Sequence, residues 1–193
     1  HRKEHPALHV ELREMISSEQ VEAIAAGLLD AGIARSKPQH PRLELVAQMA
    51  DPFCLALGSQ QARRVARAID LGSFADHDFV AFTRHKGPAY FDQSIHLCAK
   101  AGFSPRIRYE ASTVHGVLDL VAAELGVALV PLSCSLLFTQ GVSFHTLRTP
   151  RATESLVLLK RKADSNPILP ILENAMNSQF ADLEVRVAKA FSR

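Results

Sequence analysis

The amino-acid sequence predicts an α/β protein, in which β-strands alternate along the chain with amphipathic helices. The clearest evidence is residues 112–130, where a helix cap, an apolar helix face and a buried strand follow one another directly. Ser112 or Thr113 can cap the helix, and Gly126 stands where a left-handed residue would end it. The apolar run Val127 to Val130 is typical of a strand covered on both faces. In such folds, ligands usually bind beyond the carboxyl ends of the strands.

The first fifty residues predict a strand, a helix and two further strands. Leu8 to Met15 alternates apolar and polar side chains, which indicates a strand with one solvated face. Ser17 to Gln20 matches a capping box, and the short helix that it opens is expected to end near Gly27. Ala31 to Arg35 and Leu43 to Met49 then predict two strands.

The pattern is interrupted twice, and each interruption is a candidate crossover between two lobes. Asp51-Pro52 breaks the chain before a strand at Phe53 to Leu57. The polar segment Thr149 to Thr153 precedes a buried strand at Leu156 to Leu159. We therefore expect lobe I to comprise residues 1–51 and 155–193, and lobe II to comprise residues 52–154.

The segment between these crossovers repeats the α/β rhythm. A helix is predicted from Lys86-Gly87-Pro88 to Lys100, with proline at a tolerated first position and Gly102 after its end. A last helix is predicted from about Pro167 onward, because its apolar residues fall on one side. The remaining predicted strands are Phe79 to Thr83, Ile107 to Ala111 and Val142 to Leu147.

Composition indicates an ordinary soluble globular chain and excludes several classes of protein. A hydrophobic content of 47% over 193 residues is enough for a sizeable core, in one large domain or two small lobes. The net charge is only +2 and the basic residues are scattered, so we expect any DNA contact to lie outside this segment. The three cysteines have no C-x-x-C spacing, which argues against a disulfide framework or a structural zinc site.

Targeting signals are also missing from the sequence. No apolar run reaches the roughly 18 residues of a membrane span, and His1 to Val10 lacks the apolar core of a signal peptide. Together with the cysteine usage, this predicts a reducing, cytoplasmic location. The start without methionine indicates a fragment.

Four segments, in this order and spacing, resemble the effector-binding domain of LysR-type transcriptional regulators. The resemblance extends from Pro6 to about Met176, and no function is assigned to Ala181 to Arg193. Each segment is weak on its own, but their order is specific. The segments are His5-Pro-Ala-Leu-His-Val-Glu-Leu12, Ser18-Glu-Gln-Val-Glu-Ala-Ile-Ala-Ala-Gly-Leu-Leu-Asp-Ala-Gly-Ile33, Ala101-Gly-Phe-Ser-Pro105 and Leu120-Val-Ala-Ala-Glu-Leu-Gly-Val-Ala-Leu-Val-Pro131.

The resemblance implies two Rossmann-like α/β lobes joined by two crossover strands, similar to type 2 periplasmic binding proteins. It implies a small organic anion in the cleft between the lobes, dimers or tetramers of the full-length protein, and promoter DNA bound through an N-terminal helix-turn-helix. That helix-turn-helix is absent from this sequence. The first strand of the family fold, whose following loop contacts the effector, would also lie upstream of His1.

In lobe I, the candidate effector-binding residues are Ser17, Ser18 and Arg35. Ser17 and Ser18 combine hydroxyls with the free N–H groups of a predicted helix start, a combination that suits an anion. The resemblance adds that the position matching Ser17 touches effector, although a simple helix cap explains both serines equally well. Arg35 ends a strand and could reach a carboxylate, but a surface ion pair worth about 0 to 1 kcal/mol is the favoured interpretation.

The other lobe supplies five more candidates. Thr83 and Arg84 follow a predicted strand end, and Tyr90 and Phe91 begin the next helix. The two polar side chains could therefore face the two aromatic rings across a binding site. The alternatives are a solvated Arg84 and core positions for the two rings. Thr113 caps its helix, and by family position it faces the cleft. The aromatic side chains make an aromatic carboxylate the first candidate effector.

Enzymatic motifs are not recognisable in the sequence. Nine histidines and three cysteines offer no nucleophile, base and orienting group at a familiar spacing, and phosphate-binding glycine loops are absent. His96 and Cys98 point to different sides of a predicted helix, which disfavours a metal site. We expect a non-enzymatic ligand sensor that needs no cofactor or metal. The alternatives are a solute-binding protein of a transport system and a small enzyme on the same fold.

Overall fold

The computed structural model describes residues 9–35, 37, 39–137, 140–148 and 155–192. Four α-helices and nine strands lie in these ranges. In chain order they are α1 (Ser17–Ala25), β1 (Ala31–Arg35), β2 (Leu43–Ala50), β3 (Phe53–Gly58), β4 (Ala68–Ile69), β5 (Asp78–Phe82), α2 (Pro88–Lys100), β6 (Arg106–Ala111), α3 (Val114–Ala122), β7 (Ala128–Pro131), β8 (Val142–Leu147), β9 (Ser155–Arg161) and α4 (Leu169–Ser192).

The chain folds into two compact units. Unit 1 combines the chain up to Met49 with Leu156–Asp182, and unit 2 combines Ala50–Ser155 with the chain from Leu183 onward. Strand β2 belongs to a three-stranded sheet and β3 to a four-stranded sheet, so Asp51-Pro52 separates strands of different sheets. The lobe boundaries given above stay a prediction.

Unit 1 is built on the three-stranded sheet, in the order β1-β9-β2. Strand β1 pairs with β9 in antiparallel register, from Ala31 opposite Lys160 to Arg35 opposite Leu156. Helix α1 packs its apolar side chains on one face of this sheet, because Val21 and Ile24 recur at helical spacing. The buried cluster that results consists of Val21, Ile24, Ala34, Leu43, Val157 and Leu159.

Charged side chains of β9 tie this sheet to its two covering helices. The Arg161 Nη1 atom donates to the carbonyl oxygens of Ile24 at 3.0 Å and Leu29 at 2.8 Å, at the C-terminal end of α1. On the opposite face, Lys160 Nζ lies 2.5 Å from Glu173 Oε1 of α4 and 3.4 Å from Glu44 Oε1 of β2. The bond to Glu173 raises the pKa of Lys160. One face of the unit 1 sheet is therefore held partly by ion pairs.

Unit 2 contains a sheet of four strands, in the order β4-β8-β3-β7, and a parallel pair, β5-β6. A parallel bridge between Phe79 and Val127 joins the pair to β7. All six residues of β3 are buried. Phe53, Leu55 and Leu57 point into a cluster that includes Leu97 of α2, and the intervening Cys54 and Ala56 point into a cluster that includes residues of α3. Unit 2 is thus an α/β layer structure with an apolar core on both faces of its sheet.

Most predicted elements are confirmed, and the differences lie at element ends and in short elements. Strands β1 and β8 have the predicted bounds, and most other ends lie within about two residues of the expectation. Helix α3 already ends at Ala122, four residues before Gly126, and no end was predicted for α4. The short strand β4 and the 3-10 helices Gln61–Arg64, Leu71–Phe74 and Leu132–Leu136 were not predicted. The loop expected at Thr149 to Thr153 lies outside the described residues.

The predicted strand at Leu8 to Met15 is wrong for its described part. Residues 9–16 form no regular element, and Val10 and Leu12 are 63% and 90% exposed. An alternating pattern forms a strand only where a neighbouring strand pairs with it, and no strand within the described ranges pairs with this segment. The capping box at Ser17 is also wrong: Ile16 is the N-cap residue of α1 and no side chain caps it.

The left-handed residue after α3 is Glu124 rather than Gly126. Glu124 has a φ of 61°, and Gly126 is needed for space. A Cβ atom at Gly126 would lie 2.6 Å from the Asp78 carbonyl oxygen, because the chain passes close to β5 at this point. The prediction identified the right turn but the wrong conformation for the glycine.

Candidate functional site

The carboxyl ends of β5 and β6 lie side by side in unit 2. The two strands are parallel, and Phe82 at the end of β5 pairs with Ala111 at the end of β6. The backbone N–H of Thr83 donates to the Ala111 carbonyl oxygen at 2.9 Å. Thr83 therefore lies directly beside the turn that leads into Thr113. We call the surface formed by Thr83, Thr113 and the neighbouring ends of β5 and β6 the carboxyl-end surface of unit 2.

Thr113 is the N-cap residue of α3, as the sequence predicts. Its backbone is extended and its Oγ1 atom accepts a hydrogen bond from the Gly116 N–H at 3.0 Å. The side chain is exposed. The start of α3, with its free N–H groups and positive end of the helix dipole, is thus directed to the carboxyl-end surface.

A buried carboxylate at the end of β7 was missed by the sequence analysis. Asp51 is 1% exposed, and its two oxygens accept hydrogen bonds from the backbone N–H and the Oγ of Ser133 at 2.8 and 2.6 Å. The antiparallel pairing of Phe53 with Pro131 brings the two residues together. In the sequence, Asp51 precedes the buried strand β3 and Ser133 follows the buried strand β7. Their contact could be predicted only if the pairing of β3 with β7 were already known.

Tyr90 is part of the apolar core of unit 2. The residue is 7% exposed, its ring stacks on Phe53 at 5.3 Å between centroids, and its hydroxyl donates to the Leu129 carbonyl oxygen at 2.7 Å. Tyr90 thus occupies the core position that was given above as the alternative to effector binding. The hydroxyl helps to fix α2 on β7.

Phe91 lines a small apolar pocket between α2 and the strands β5 and β6. The polar side chain in this pocket is Ser94, whose hydroxyl donates to the Tyr90 carbonyl oxygen at 3.0 Å. Such a lining suits an uncharged apolar group better than a carboxylate. The pocket is lined by Phe79, Val80, Ala81, Phe82, Phe91, Ser94, Ile95, Cys98, Pro105, Ile107 and Leu129.

Arg84 and Asp92 form a bidentate ion pair. The Nε atom lies 2.8 Å from Asp92 Oδ1 and the Nη2 atom 3.0 Å from Oδ2, with both side chains more than half exposed. The hydrogen bond from Arg84 lowers the pKa of Asp92. An incoming anion would have to replace this partner to bind the guanidinium.

The three candidates of unit 1 lie at the start of α1 and the end of β1. Ser17 Oγ accepts a hydrogen bond from the Arg35 backbone N–H at 3.2 Å, so the structure brings these two residues together. Ser17 and Arg35 are half-buried, and Ser18 is exposed. Their contact with an effector, like that of the unit 2 candidates, stays a prediction.

The described residues offer little for metal or thiol chemistry. No group of three or more potential metal ligands is found among them. Burial raises the pKa of Cys98 to about 12 and that of Cys54 well above its usual value, so both thiols are protonated at neutral pH. Within the same ranges, no helix has the length and apolar character needed to cross a membrane.

The chain belongs to the LysR substrate binding domain family, whose model matches residues 1–170. Relatives of this family include the HTH-type transcriptional regulator AlsR of Bacillus subtilis strain 168, which is 30% identical over 179 residues, 93% of this chain and 59% of that protein. The regulator TcbR of Pseudomonas sp. strain P51 is 27% identical over 85% of this chain and 56% of its own length. The chain thus spans just over half the length of these regulators.

Solved structures with the same fold include two regulators of this family. Full-length CbnR in complex with its target DNA superimposes with a TM-score of 0.77 at 25% identity, over 96% of this chain and 62% of CbnR. The effector binding domain of BenM with its effector benzoate superimposes with a TM-score of 0.78 at 24% identity, over 93% of this chain and 82% of that domain. These likenesses confirm the predicted fold class, similar to type 2 periplasmic binding proteins.

Proposed function

We propose that this chain is the ligand-sensing part of a LysR-type transcriptional regulator and that it binds a small organic anion without changing it chemically. The family match over residues 1–170 is the observation that supports this most strongly. In the same proposal, the full-length protein is a cytoplasmic dimer or tetramer that binds promoter DNA through a helix-turn-helix. The relatives are transcriptional regulators, which favours a sensor over a transport receptor or an enzyme.

The carboxyl-end surface of unit 2 is our first candidate for contacts with the anion. Thr83 and Thr113 place two hydroxyls and the start of α3 at the ends of parallel strands, where α/β folds bind their ligands. Ser17 and Arg35 of unit 1 are separate candidates, proposed on the family resemblance and on the bond that joins them. Benzoate, the effector in the solved BenM domain, is a suitable test ligand because an aromatic carboxylate was expected from the sequence.

A thermal-shift screen of small carboxylates tests this proposal. A ligand at 100 times its Kd stabilises a protein by about 2.7 kcal/mol, so an effector should raise the Tm by several degrees. Benzamide, which has the same ring without the charge, should raise the Tm much less than benzoate does. The proposal fails if no carboxylate in the panel raises the Tm.

Ser17→Ala tests the contact in unit 1. We expect a smaller benzoate-induced shift in this variant, because the hydroxyl is lost, and a nearly unchanged fold without ligand. Ser59→Ala is the matched control, since Ser59 is an exposed serine of unit 2. An equal benzoate-induced rise in Tm in Ser17→Ala and the wild-type chain would show that Ser17 does not contact the ligand. Its role would then be the hydrogen bond with the Arg35 N–H.

A further inference from the structure

Two basic stretches that are far apart in the sequence are joined by one hydrogen bond on the surface of unit 2. Arg63 and Arg64 belong to the 3-10 helix Gln61–Arg64, and Arg67 follows three residues later. The Arg67 Nη2 atom donates to the Ala190 carbonyl oxygen at 3.0 Å, which brings the C-terminal end of α4 to this segment. Arg186 and Lys189 lie within one helical turn of Ala190. We call these five cations the basic patch.

The basic patch is exposed, and its cations outnumber the neighbouring carboxylates. All five side chains belong to exposed residues. None of them forms an ion pair with a described residue. No acidic residue occurs between Ser59 and Arg67. The carboxylate of Glu124 accepts a hydrogen bond from the Gln60 N–H at 2.8 Å, that of Glu184 on α4 accepts one from the Ala50 N–H at 3.2 Å, and Asp182 lies one helical turn before Arg186. Five cations beside three carboxylates leave a local excess of positive charge on this surface.

We propose that the basic patch binds the phosphate backbone of double-stranded DNA without sequence preference. Four of the five cations are arginines, whose planar guanidinium groups bind phosphate through paired hydrogen bonds. Backbone contacts of this kind position a protein on a duplex but do not select a sequence. This role goes beyond effector sensing and does not depend on it.

Two observations favour a duplex over other polyanions. Tyr109 of β6 is the single large aromatic residue among the exposed hydrophobic residues of the described ranges, and it lies outside the patch. Proteins that bind single strands stack the bases on aromatic side chains, which the patch lacks. An acidic protein partner would need an apolar centre at the interface, and Val185 is the one strongly exposed hydrophobic residue near these cations in the described part of the chain.

Arg67 contributes to the stability of the fold as well as to the charge of the basic patch. Its guanidinium satisfies a carbonyl oxygen in the last turn of α4, where unpaired carbonyl groups need partners. Substitution of Arg67 would therefore mix a loss of charge with a loss of helix stability. Arg63, Arg64 and Lys189 have no hydrogen bond from their charged groups to a described residue and can be replaced with little effect on folding.

The test measures binding of the 193-residue chain to a fluorescently labelled duplex of random sequence by anisotropy, as a function of salt and without benzoate. The variant is Arg63→Gln with Arg64→Gln and Lys189→Gln. Each lost phosphate contact lowers the steepness of the plot of log affinity against log salt by about 0.9, so we expect a decrease of about 2 to 3. At about 50 mM salt the affinity should fall roughly tenfold or more.

A control variant with the same change of net charge separates the patch from a general charge effect. Lys37→Gln with Lys86→Gln and Lys100→Gln removes three exposed cations elsewhere on the chain. We expect its affinity to change less than about twofold at the same salt concentration. Melting curves of both variants should match that of the wild-type chain, since surface substitutions usually change stability by about 0.5 kcal/mol or less.

Three results would overturn the proposal. The wild-type chain could fail to bind the duplex, or the two triple variants could lose affinity equally. As a third result, the patch variant could bind the duplex normally but lose affinity for labelled polyglutamate measured in the same way, which would favour an acidic protein as the partner. Because benzoate is absent, each of these results leaves the proposed sensor function untouched.

Discussion

The two units of the molecule stabilise their sheets in different ways. In unit 2 both faces of the sheet are covered by apolar clusters, and the central strand β3 is buried along its whole length. In unit 1 one face packs on α1, while Arg161 and Lys160 of β9 hold the helices through hydrogen bonds and ion pairs. Hydrophobic burial is non-directional, whereas charged contacts depend on exact geometry. We therefore expect the two units to respond differently to loss of volume and loss of charge.

The largest effect is expected from Leu55→Ala in β3. Leu55 is fully buried at the centre of the unit 2 core, so the substitution removes buried methyl groups and leaves a cavity. We expect a loss of about 2 to 5 kcal/mol in the free energy of unfolding, measured by urea denaturation. Leu45→Ala in β2 is the control, because Leu45 is 39% exposed. Equal losses in the two variants would contradict the contrast between the units.

Arg161→Met should produce the largest loss among the charged contacts of unit 1. The variant keeps much of the side-chain volume but removes the donor to the carbonyl oxygens of Ile24 and Leu29 and the partner of Asp164. Hydrogen bonds from a charged group contribute about 1.5 to 3 kcal/mol, so we expect a loss of about 2 kcal/mol or more by urea denaturation.

Arg42→Met is the matched control for Arg161→Met. Arg42 is exposed, and its backbone carbonyl, which accepts a bond from the Lys162 N–H, is retained in the variant. We expect a change of about 0.5 kcal/mol or less. If the two methionine variants unfold at the same urea concentration, the bonds of Arg161 do not stabilise unit 1.

The same contrast explains which parts of the fold the sequence could predict. Burial on both sides produces the continuous apolar runs at Phe53 to Leu57 and Val127 to Val130, and each run was recognised within about one residue of its strand. The alternating pattern at Leu8 to Met15 was equally clear, but a strand also needs a pairing partner, which a local pattern does not show. The contacts of Arg161 join residues more than 130 positions apart and had no local signal.

The site was predicted in part for the same reason. The cap at Thr113 is a local feature of four residues, Thr113 to Gly116, and it was predicted from the sequence. Tyr90 and Asp51 have long-range partners, Leu129 and Ser133, which become visible only when the strands are paired. The alternative given for Arg84, a solvated side chain, agrees with its exposure, but its partner Asp92 was not identified.

Thr113→Ala should cost about 1 kcal/mol of stability, because α3 loses its cap. Thr113→Ser should retain the cap and most of that stability. If Thr113 also contacts the effector, Thr113→Ala lowers the affinity for benzoate in a calorimetric titration while Thr113→Ser lowers it much less. Equal stability of the alanine variant and the wild-type chain would show that the cap contributes nothing.

The smallest effect is expected at Asp78 of β5. The hydrogen bond from Arg106 lowers the pKa of Asp78 in the folded chain. A carboxyl group with a lowered folded pKa stabilises the protein above its unfolded pKa, and this contribution is lost as the pH falls through the folded value, below about pH 4. Asp78→Asn should therefore flatten the fall in unfolding free energy between about pH 5 and pH 2.

Asp76→Asn is the control for that measurement. Asp76 contributes its backbone carbonyl oxygen to Arg106, at 3.2 Å, and the substitution leaves that carbonyl in place. The variant keeps the bond between Arg106 and Asp78, so its pH profile should differ less from that of the wild-type chain than the profile of Asp78→Asn does. An identical pH profile for Asp78→Asn and the wild-type chain would show that the ion pair is fully screened by solvent.

The most direct test of the proposed sensor function is a calorimetric titration of the 193-residue chain with benzoate and other small carboxylates, followed by analysis of the ligand after prolonged incubation. We predict saturable binding of at least one carboxylate, much weaker binding of its neutral amide, and recovery of the ligand unchanged. The absence of binding by every carboxylate, or conversion of the ligand to a product, would contradict the proposal.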